Sequence, residues 1–228
     1  MDEFLNPVPP ALFRATNGPW NALRLNAPWS VGYVASLVEA RAFAEKTEWR
    51  DFYYESGAER LRRLARLPAA DRALLTDFRL ALTDPGGIQR LPAALKTLNF
   101  DFGRTPDELA EKGRALHAHL TRLGQILTTA QAIDCVRFRV LGETWNGVVL
   151  RERATVAVLQ TRLPGVRFEK TPGDFDHRYA VDYQLFREAQ RLGGIQIKPA
   201  SYAASNAPYL VTARQANRAK NDAYRRDF

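Results

Sequence analysis

The hydrophobic pattern of this chain changes its period at Leu163-Pro164-Gly165, and this change most limits what the chain can fold into. Apolar residues recur at helical spacing before this point, and they alternate with a period of two after it. The predicted elements are helices over 30–45, 48–67, 69–82, 105–123, 128–139 and 147–162, strands over 166–170, 178–186 and 194–198, and a basic helix over 212–226. The pattern therefore predicts an α/β or α+β fold with a helical N-terminal elaboration.

Two boundaries carry strong local signals. Thr105-Pro106-Asp107-Glu108 has the composition of a capped helix start, with a threonine cap, a proline in the first turn and a glutamate three residues after the cap. Asp84-Pro85-Gly86-Gly87 is typical of a break after the helix predicted over 69–82.

The two longer strands are joined by the short segment REAQRLG, which favours antiparallel neighbours. Alternation within them places Asp182, Gln196 and Lys198 on the face opposite the apolar side chains. A carboxylate, an amide oxygen and a lysine could hold Mg²⁺ and stabilise charge on a phosphate. The alternative is a hairpin face that is polar because water covers it.

The charge balance favours a polyanionic partner. Lys and Arg number 33 against 25 Asp and Glu, which gives a net charge of +8 and a pI near 9.9. The N-terminus does not resemble a secretory signal, and no apolar run approaches the length of a membrane span. Cys135, the one cysteine, excludes an internal disulfide and a cysteine-based zinc site, so we expect a cytoplasmic protein.

Asp182 followed by GGIQIKP at 193–199 resembles the PD-(D/E)XK nuclease superfamily, with Gln-Ile-Lys where an acid-x-Lys is usual. The longer stretch GIQIKPASY at 194–202, after VDYQ at 181–184, is similar to the MjaI-type restriction endonuclease family. Glu48-Trp49 and Tyr53-Tyr54 are compatible with that family, although this aromatic cluster also suits a core or subunit interface. The resemblance covers about 147–202 and implies a nuclease core with a mixed β-sheet flanked by helices.

The resemblance implies a role for each matching residue of the motif. Asp182 would be the main Mg²⁺ ligand, Gln196 the second ligand, and Lys198 the catalytic lysine. The carbonyl of Ile197 would also reach the metal, and Glu152 would be an additional acid, unless it belongs to a solvated patch.

A neutral Gln196 leaves the implied metal site one negative charge short. Another carboxylate must then help, and the sequence offers Asp174, Asp176 and Glu152. If none does, the chain is a degenerate and inactive relative. His117, His119 and His177 have no convincing metal partners, so we interpret them as surface or structural residues.

Candidate DNA-binding residues follow the catalytic segment. One group lies in a polar loop and the other on the basic C-terminal helix, and either could instead be plain surface. These candidates are Ser201, Tyr202, Asn206, Arg214, Asn217, Arg218 and Lys220.

The resemblance implies a type II restriction endonuclease that hydrolyses double-stranded DNA at a short, palindromic sequence. It further implies a homodimer, because two-fold DNA symmetry is matched by two-fold protein symmetry, and a cognate DNA methyltransferase acting on the same site. Residues 1–104 would then be a helical region for DNA binding or dimerisation, and 105–228 the nuclease core, in one compact unit. The alternatives are a non-catalytic DNA-binding protein with a degenerate nuclease fold and a non-specific repair or phage nuclease.

Overall fold

The computed structural model of the protein describes residues 2–6, 8–77, 91–198, 202–203 and 208–228, without the side chains of Asp174, His177, Ala213 and residues 208–210. Two compact units divide the chain, Met1–Val149 and Leu150–Phe228. The helix predicted over 105–123 thus belongs to the first unit, while the roles assigned to 1–104 and 105–228 stay predictions. Ser201, Asn206, the end of the helix predicted over 69–82 and the break at 84–87 lie outside the described residues.

The described part of the first unit is helical. Its helices are α1 (Pro10–Ala15), α2 (Asn17–Ala22), α3 (Pro28–Val31), α4 (Val34–Glu39), α5 (Lys46–Ala65), α6 (Ala69–Thr76), α7 (Ala93–Phe100), α8 (Pro106–Arg122) and α9 (Thr129–Arg137). π-Helical turns follow over Phe138–Glu143 and Trp145–Glu152, and the second of them continues into the first residues of the second unit. The capped start at Thr105 is confirmed, since its hydroxyl accepts from the Glu108 N–H and the Glu108 carboxylate accepts from the Thr105 N–H. The helix predicted over 30–45 is divided, because Gly32 (φ 83°) ends α3, and it is shorter than predicted, because α4 ends at Glu39.

Aromatic residues of α5 form the centre of this unit. Trp49 and Tyr53 are completely buried, so the cluster noted in the sequence is core. Gly57 lets α5 approach the segment before α8, because a Cβ there would lie 2.4 Å from the backbone carbonyl carbon of Arg104. Tyr53 and Gly103 make a similarly close contact one turn earlier.

Buried guanidinium groups join the helices of the first unit. Arg60 on α5 donates to the carbonyls of Leu98 and Leu75 and forms an ion pair of 2.7 Å with Glu108. Arg104 donates to five backbone carbonyls, two of them on α3. Buried charges of this kind are tolerated when their donors are satisfied by hydrogen bonds.

The second unit contains a small sheet and three helices among its described residues. They are α10 (Arg153–Arg162), β1 (Val166–Lys170), α11 (Gly173–Tyr179), β2 (Tyr183–Arg187), β3 (Gln190–Ile195) and α12 (Pro208–Asp227). The strand order is β1-β2-β3, with Tyr183 opposite both Lys170 and Ile195. The β1 strand and the antiparallel pairing of β2 with β3 are confirmed, and the described architecture is α+β.

Three expectations for this unit are wrong. The described sheet is antiparallel throughout rather than mixed. The strand predicted over 178–186 begins only at Tyr183, because its first two residues belong to α11 and Ala180 after them adopts the left-handed conformation (φ 53°). The strand predicted over 194–198 instead begins at Gln190 and ends at Ile195. The alternation of apolar and polar side chains predicted one strand over 178–186. The left-handed turn at Ala180 interrupts it, so β2 begins only at Tyr183.

None of the helices in the described ranges is both long and apolar enough to cross a membrane.

Lys112 provides a pH-dependent test of the first unit. Burial, together with the smaller effect of the positive charge of Arg104, lowers the pKa of this lysine on α8 from 10.5 to about 8. The folded state thus holds its proton less tightly than the unfolded state. The resulting cost to stability is complete below pH 8 and fades as the pH rises toward 10.5.

We expect Lys112→Met to stabilise the protein at pH 7 by up to about 3.5 kcal/mol, at ~1.4 kcal/mol per pKa unit, and to stabilise it less at pH 10. Urea unfolding at both pH values measures the difference. The exposed Arg114→Met on the same helix is the control, with an expected effect within about 0.5 kcal/mol. An equal loss of stability for Lys112→Met at both pH values would contradict this account.

Candidate functional site

Asp182 lies where three segments of the second unit meet, just before β2. Its side chain is buried, and Oδ2 accepts a hydrogen bond of 2.6 Å from the backbone N–H of Ile197. Its own N–H donates to the carbonyl of Ile195 at 2.8 Å, and its carbonyl accepts from the N–H of Thr171 at 3.0 Å. The carboxylate thus replaces a carbonyl of the sheet ladder and holds the segment after β3 against the end of β1.

Asp176 brings a second carboxylate to Asp182 from α11. Burial raises the pKa of Asp176, the negative charge of Asp182 raises it further, and a hydrogen bond between the two side chains adds to the effect. The positive charges of Lys198 and Lys170 partly offset this increase. Two acids and two lysines therefore converge at this end of the sheet.

Lys170, the last residue of β1, was not assigned a role by sequence reasoning. Its Nζ lies 2.6 Å from Oε2 of Glu152, and it also lies over the ring of Tyr183. The Glu152 side chain is only 15% exposed. Lys170 directly precedes Thr171, whose N–H donates to the carbonyl of Asp182. The position of Lys170 near Asp182 follows from the pairing of β1 with β2, which the sequence alone does not give.

Lys198 lies three residues beyond the end of β3 and is exposed. Its positive charge acts to lower the pKa of Asp176, so Lys198 lies within electrostatic range of that carboxyl, while its predicted role beside Asp182 stays a prediction. The neighbouring residue Ile197 anchors this segment, because its N–H donates to the carboxylate of Asp182.

Gln196 makes its side-chain contact with the C-terminal helix. Its Oε1 accepts a hydrogen bond of 3.3 Å from Nδ2 of Asn217, and the same nitrogen donates to the hydroxyl of Tyr202 at 2.8 Å. The structure therefore groups Gln196 with the candidate DNA-binding residues, while Asp182 and Lys198 are grouped with Asp176.

A polar groove of about 330 Å³ lies between Gln196 and one face of α12. Its lining residues are Gln196, Tyr202, Arg214, Asn217, Arg218, Asn221, Asp222 and Arg225. Arg214 donates to the carbonyl of Tyr202 at 2.7 Å and so joins the two walls. Four predicted DNA-binding residues line this groove, whereas Lys220 lies elsewhere on α12.

Sequence reasoning did not assign Asn221, Asp222 or Arg225 to this surface. The spacing offered a signal, because Asn221 follows Asn217 by four residues and Arg225 follows Arg218 by seven, which places each pair on one helix face. A second cavity of about 280 Å³ shares Gln196, Asn221 and Arg225 with the groove.

The described residues include no cluster of three or more His, Cys, Asp or Glu side chains that could hold a metal ion. The acidic pair nevertheless suits a cation, because two close carboxylates with a raised Asp176 pKa repel each other until positive charge arrives. Carboxylate oxygens are also the ligands that Mg²⁺ prefers.

Acidic oxygens beside a lysine, with an arginine-lined groove in the same unit, indicate a protein that acts on phosphate esters. Comparison with family models identifies the class, because the MjaI restriction endonuclease model matches residues 16–219. The chain therefore belongs to the MjaI restriction endonuclease family, and at family level it is a DNA nuclease. Searches of curated proteins and of solved structures found no match.

The repulsion between Asp176 and Asp182 gives a stability prediction for the metal-free protein. Because the folded state raises the pKa of Asp176 above its usual 3.8, ionisation at neutral pH costs stability. We expect Asp176→Asn to raise the melting temperature at pH 7.5, in the presence of a chelator, by roughly 2 °C.

The gain from Asp176→Asn should vanish near pH 3, where Asp176 is protonated in the folded and unfolded states alike. Asp222→Asn on α12 is the control, since it removes the same charge from a half-exposed residue that pairs with Arg225. Scanning calorimetry measures both variants, and a melting temperature lowered at pH 7.5 by Asp176→Asn alone would contradict the proposed repulsion.

Proposed function

We propose that the protein is a Mg²⁺-dependent type II restriction endonuclease that cuts both strands of duplex DNA at a short palindromic sequence. The observation that carries this proposal is the pairing of Asp176 with Asp182 beside Lys198, in a chain of the MjaI family. The arginine-lined groove and the net charge of +8 support a nucleic acid as the substrate.

Asp182 and Asp176 would hold the metal, together with the carbonyl of Ile197. This assignment differs from the sequence expectation because the Gln196 oxygen accepts from Asn217, and Asp176 supplies the second negative charge that a glutamine cannot. A bound Mg²⁺ would stabilise charge on the scissile phosphate and lower the pKa of a water molecule. The hydrogen bond from Ile197 holds the Asp182 carboxylate in one orientation for this task.

Lys198 would contact the scissile phosphate and orient the attacking water. The water oxygen forms a bond to phosphorus and releases a proton to solvent, the bond from phosphorus to the 3′ oxygen breaks, and the departing oxygen takes a proton from a solvent water to become a hydroxyl. Lys198 suits this role because it is exposed and close to the acidic pair. Lys170, paired with Glu152, adds a second positive charge, so Glu152 would act through Lys170.

DNA would lie along the groove, with Arg214 and Arg218 on phosphates. A palindromic site cut on both strands calls for a homodimer, since each copy then meets an equivalent half-site. A nuclease of this specificity would also need a cognate methyltransferase that protects the same sequence in the cell's own DNA.

One observation favours a second candidate function, a DNA-binding protein that has lost catalysis. Within the described residues the carboxylates near Asp182 form a pair rather than a larger cluster, so metal affinity would be low if Asp176 did not contribute. A non-specific nuclease is the third possibility, and cleavage products distinguish all three.

Incubation of long duplex DNA with Mg²⁺ should yield discrete fragments. We expect Asp182→Asn and Lys198→Met to reduce the cleavage rate by at least about 100-fold, because each removes charge stabilisation at the phosphate. Lys220→Met, which removes one charge from α12 outside the groove, should change the rate far less.

Binding without cleavage under any divalent cation would support the second candidate. A smear without discrete bands would indicate a non-specific nuclease. Unchanged cleavage in Asp182→Asn would overturn the assigned site.

A further inference from the structure

We propose that Gln196 is a specificity-determining residue that reads a DNA base edge together with Asn217, and that it is not a metal ligand. This inference rests on the proposed function, because it assumes that duplex DNA occupies the groove beside α12. It assigns a role to the residue at which the chain departs from the usual acid-x-Lys motif.

The hydrogen bonds of the amide pair show which atoms are left for a ligand. Asn217 uses Nδ2 for both Gln196 and Tyr202. Within the described part of the chain, no hydrogen bond engages Nε2 of Gln196 or Oδ1 of Asn217. The pair therefore offers donors on Gln196 and an acceptor on Asn217.

This combination matches one kind of base edge. In the major groove, adenine presents the N7 acceptor next to the N6 amino donor, and asparagine and glutamine amides complement that pattern. Asn221, one helical turn after Asn217, lines the same groove and adds a further amide. The expected contact is therefore with adenine in the recognition sequence.

The arginines divide the groove into a part for bases and a part for phosphates. Arg214, Arg218 and Arg225 recur at helical spacing along the face of α12 that carries the two asparagines. Guanidinium groups suit the backbone phosphates, which position the duplex, while the amides between them can discriminate bases.

The position of Gln196 in the chain links recognition to cleavage. Its neighbour Ile197 donates to the Asp182 carboxylate, and Lys198 follows next. A base bound by Gln196 would therefore lie close in sequence to the groups that act on the phosphate. A glutamate at this position would lack the donors that N7 requires and would bring negative charge into the groove, which explains the neutral residue.

The test measures metal affinity and base selectivity separately. Mn²⁺ affinity of the DNA-free protein is obtained by calorimetry for wild type, Gln196→Ala, Gln196→Glu and Asn217→Ala. Selectivity is obtained by selecting bound sequences from a randomised duplex pool in Ca²⁺. Gln190→Glu, at the exposed other end of β3, is the charge-matched control for Gln196→Glu.

We expect Gln196→Ala to leave the Mn²⁺ dissociation constant within about twofold of wild type. It should reduce discrimination at one A·T position by roughly 10- to 100-fold, the range expected for loss of an amide–adenine contact. Asn217→Ala should relax the same position, and the double variant should add little, because the two residues act as one unit. Equal melting temperatures exclude a general folding defect.

The inference is overturned if Gln196→Ala weakens Mn²⁺ binding at least tenfold, or if its selected sequences equal those of wild type. Tighter Mn²⁺ binding together with faster cleavage in Gln196→Glu would likewise identify a metal ligand. If wild type selects a sequence but does not cut it, the proposed catalysis fails, and the selected sequences still decide the role of Gln196. If wild type selects no sequence, this inference fails.

Discussion

The hydrogen bond from the Ile197 N–H to the Asp182 carboxylate is the interaction on which the candidate site depends. It forms where the ladder between β2 and β3 has ended, and it holds the backbone of the segment after Ile195 beside the start of β2. Because Asp182 is also bound through its backbone to Thr171 and Ile195, one residue positions the ends of β1 and β3 together. Gln196 and Lys198 flank Ile197 and are positioned by the same bond.

The second constraint is electrostatic. The left-handed residue Ala180 turns the chain between α11 and β2, and Asp176 and Asp182 meet as a result. Bringing two carboxylates together costs stability, and the lysines at positions 170 and 198 offset only part of that cost. Folding alone does not require two neighbouring carboxylates. Such electrostatic repulsion is typical of functional sites, where it serves binding or catalysis.

Several features followed from the sequence because they depend on local chemistry. The capping box at Thr105 and the antiparallel pairing of β2 with β3 are of this kind. Alternation placed Asp182 and Gln196 in strands, yet both lie outside the ladder, because the turn at Ala180 and the side chain of Asp182 replace regular pairing.

The rest depends on contacts between distant parts of the chain. The segment GDFDHRY follows a Pro-Gly signal typical of a turn, so its helical form and the position of Asp176 could not be predicted from local pattern. The bond from Asn217 to Gln196 joins residues separated by a strand end and a loop. The position of Lys170 opposite Tyr183 depends on the register of β1 with β2. The buried Arg60 and Arg104 likewise resemble surface arginines until their carbonyl partners are known.

The most direct test of the account is anomalous X-ray scattering from Mn²⁺ in crystals of the protein bound to duplex DNA. The account predicts an anomalous peak at about 2.0–2.4 Å from one carboxylate oxygen of Asp176 and one of Asp182, with the Gln196 amide hydrogen-bonded to a base instead. A peak coordinated by the Gln196 oxygen and Asp182, with Asp176 turned away, would contradict it.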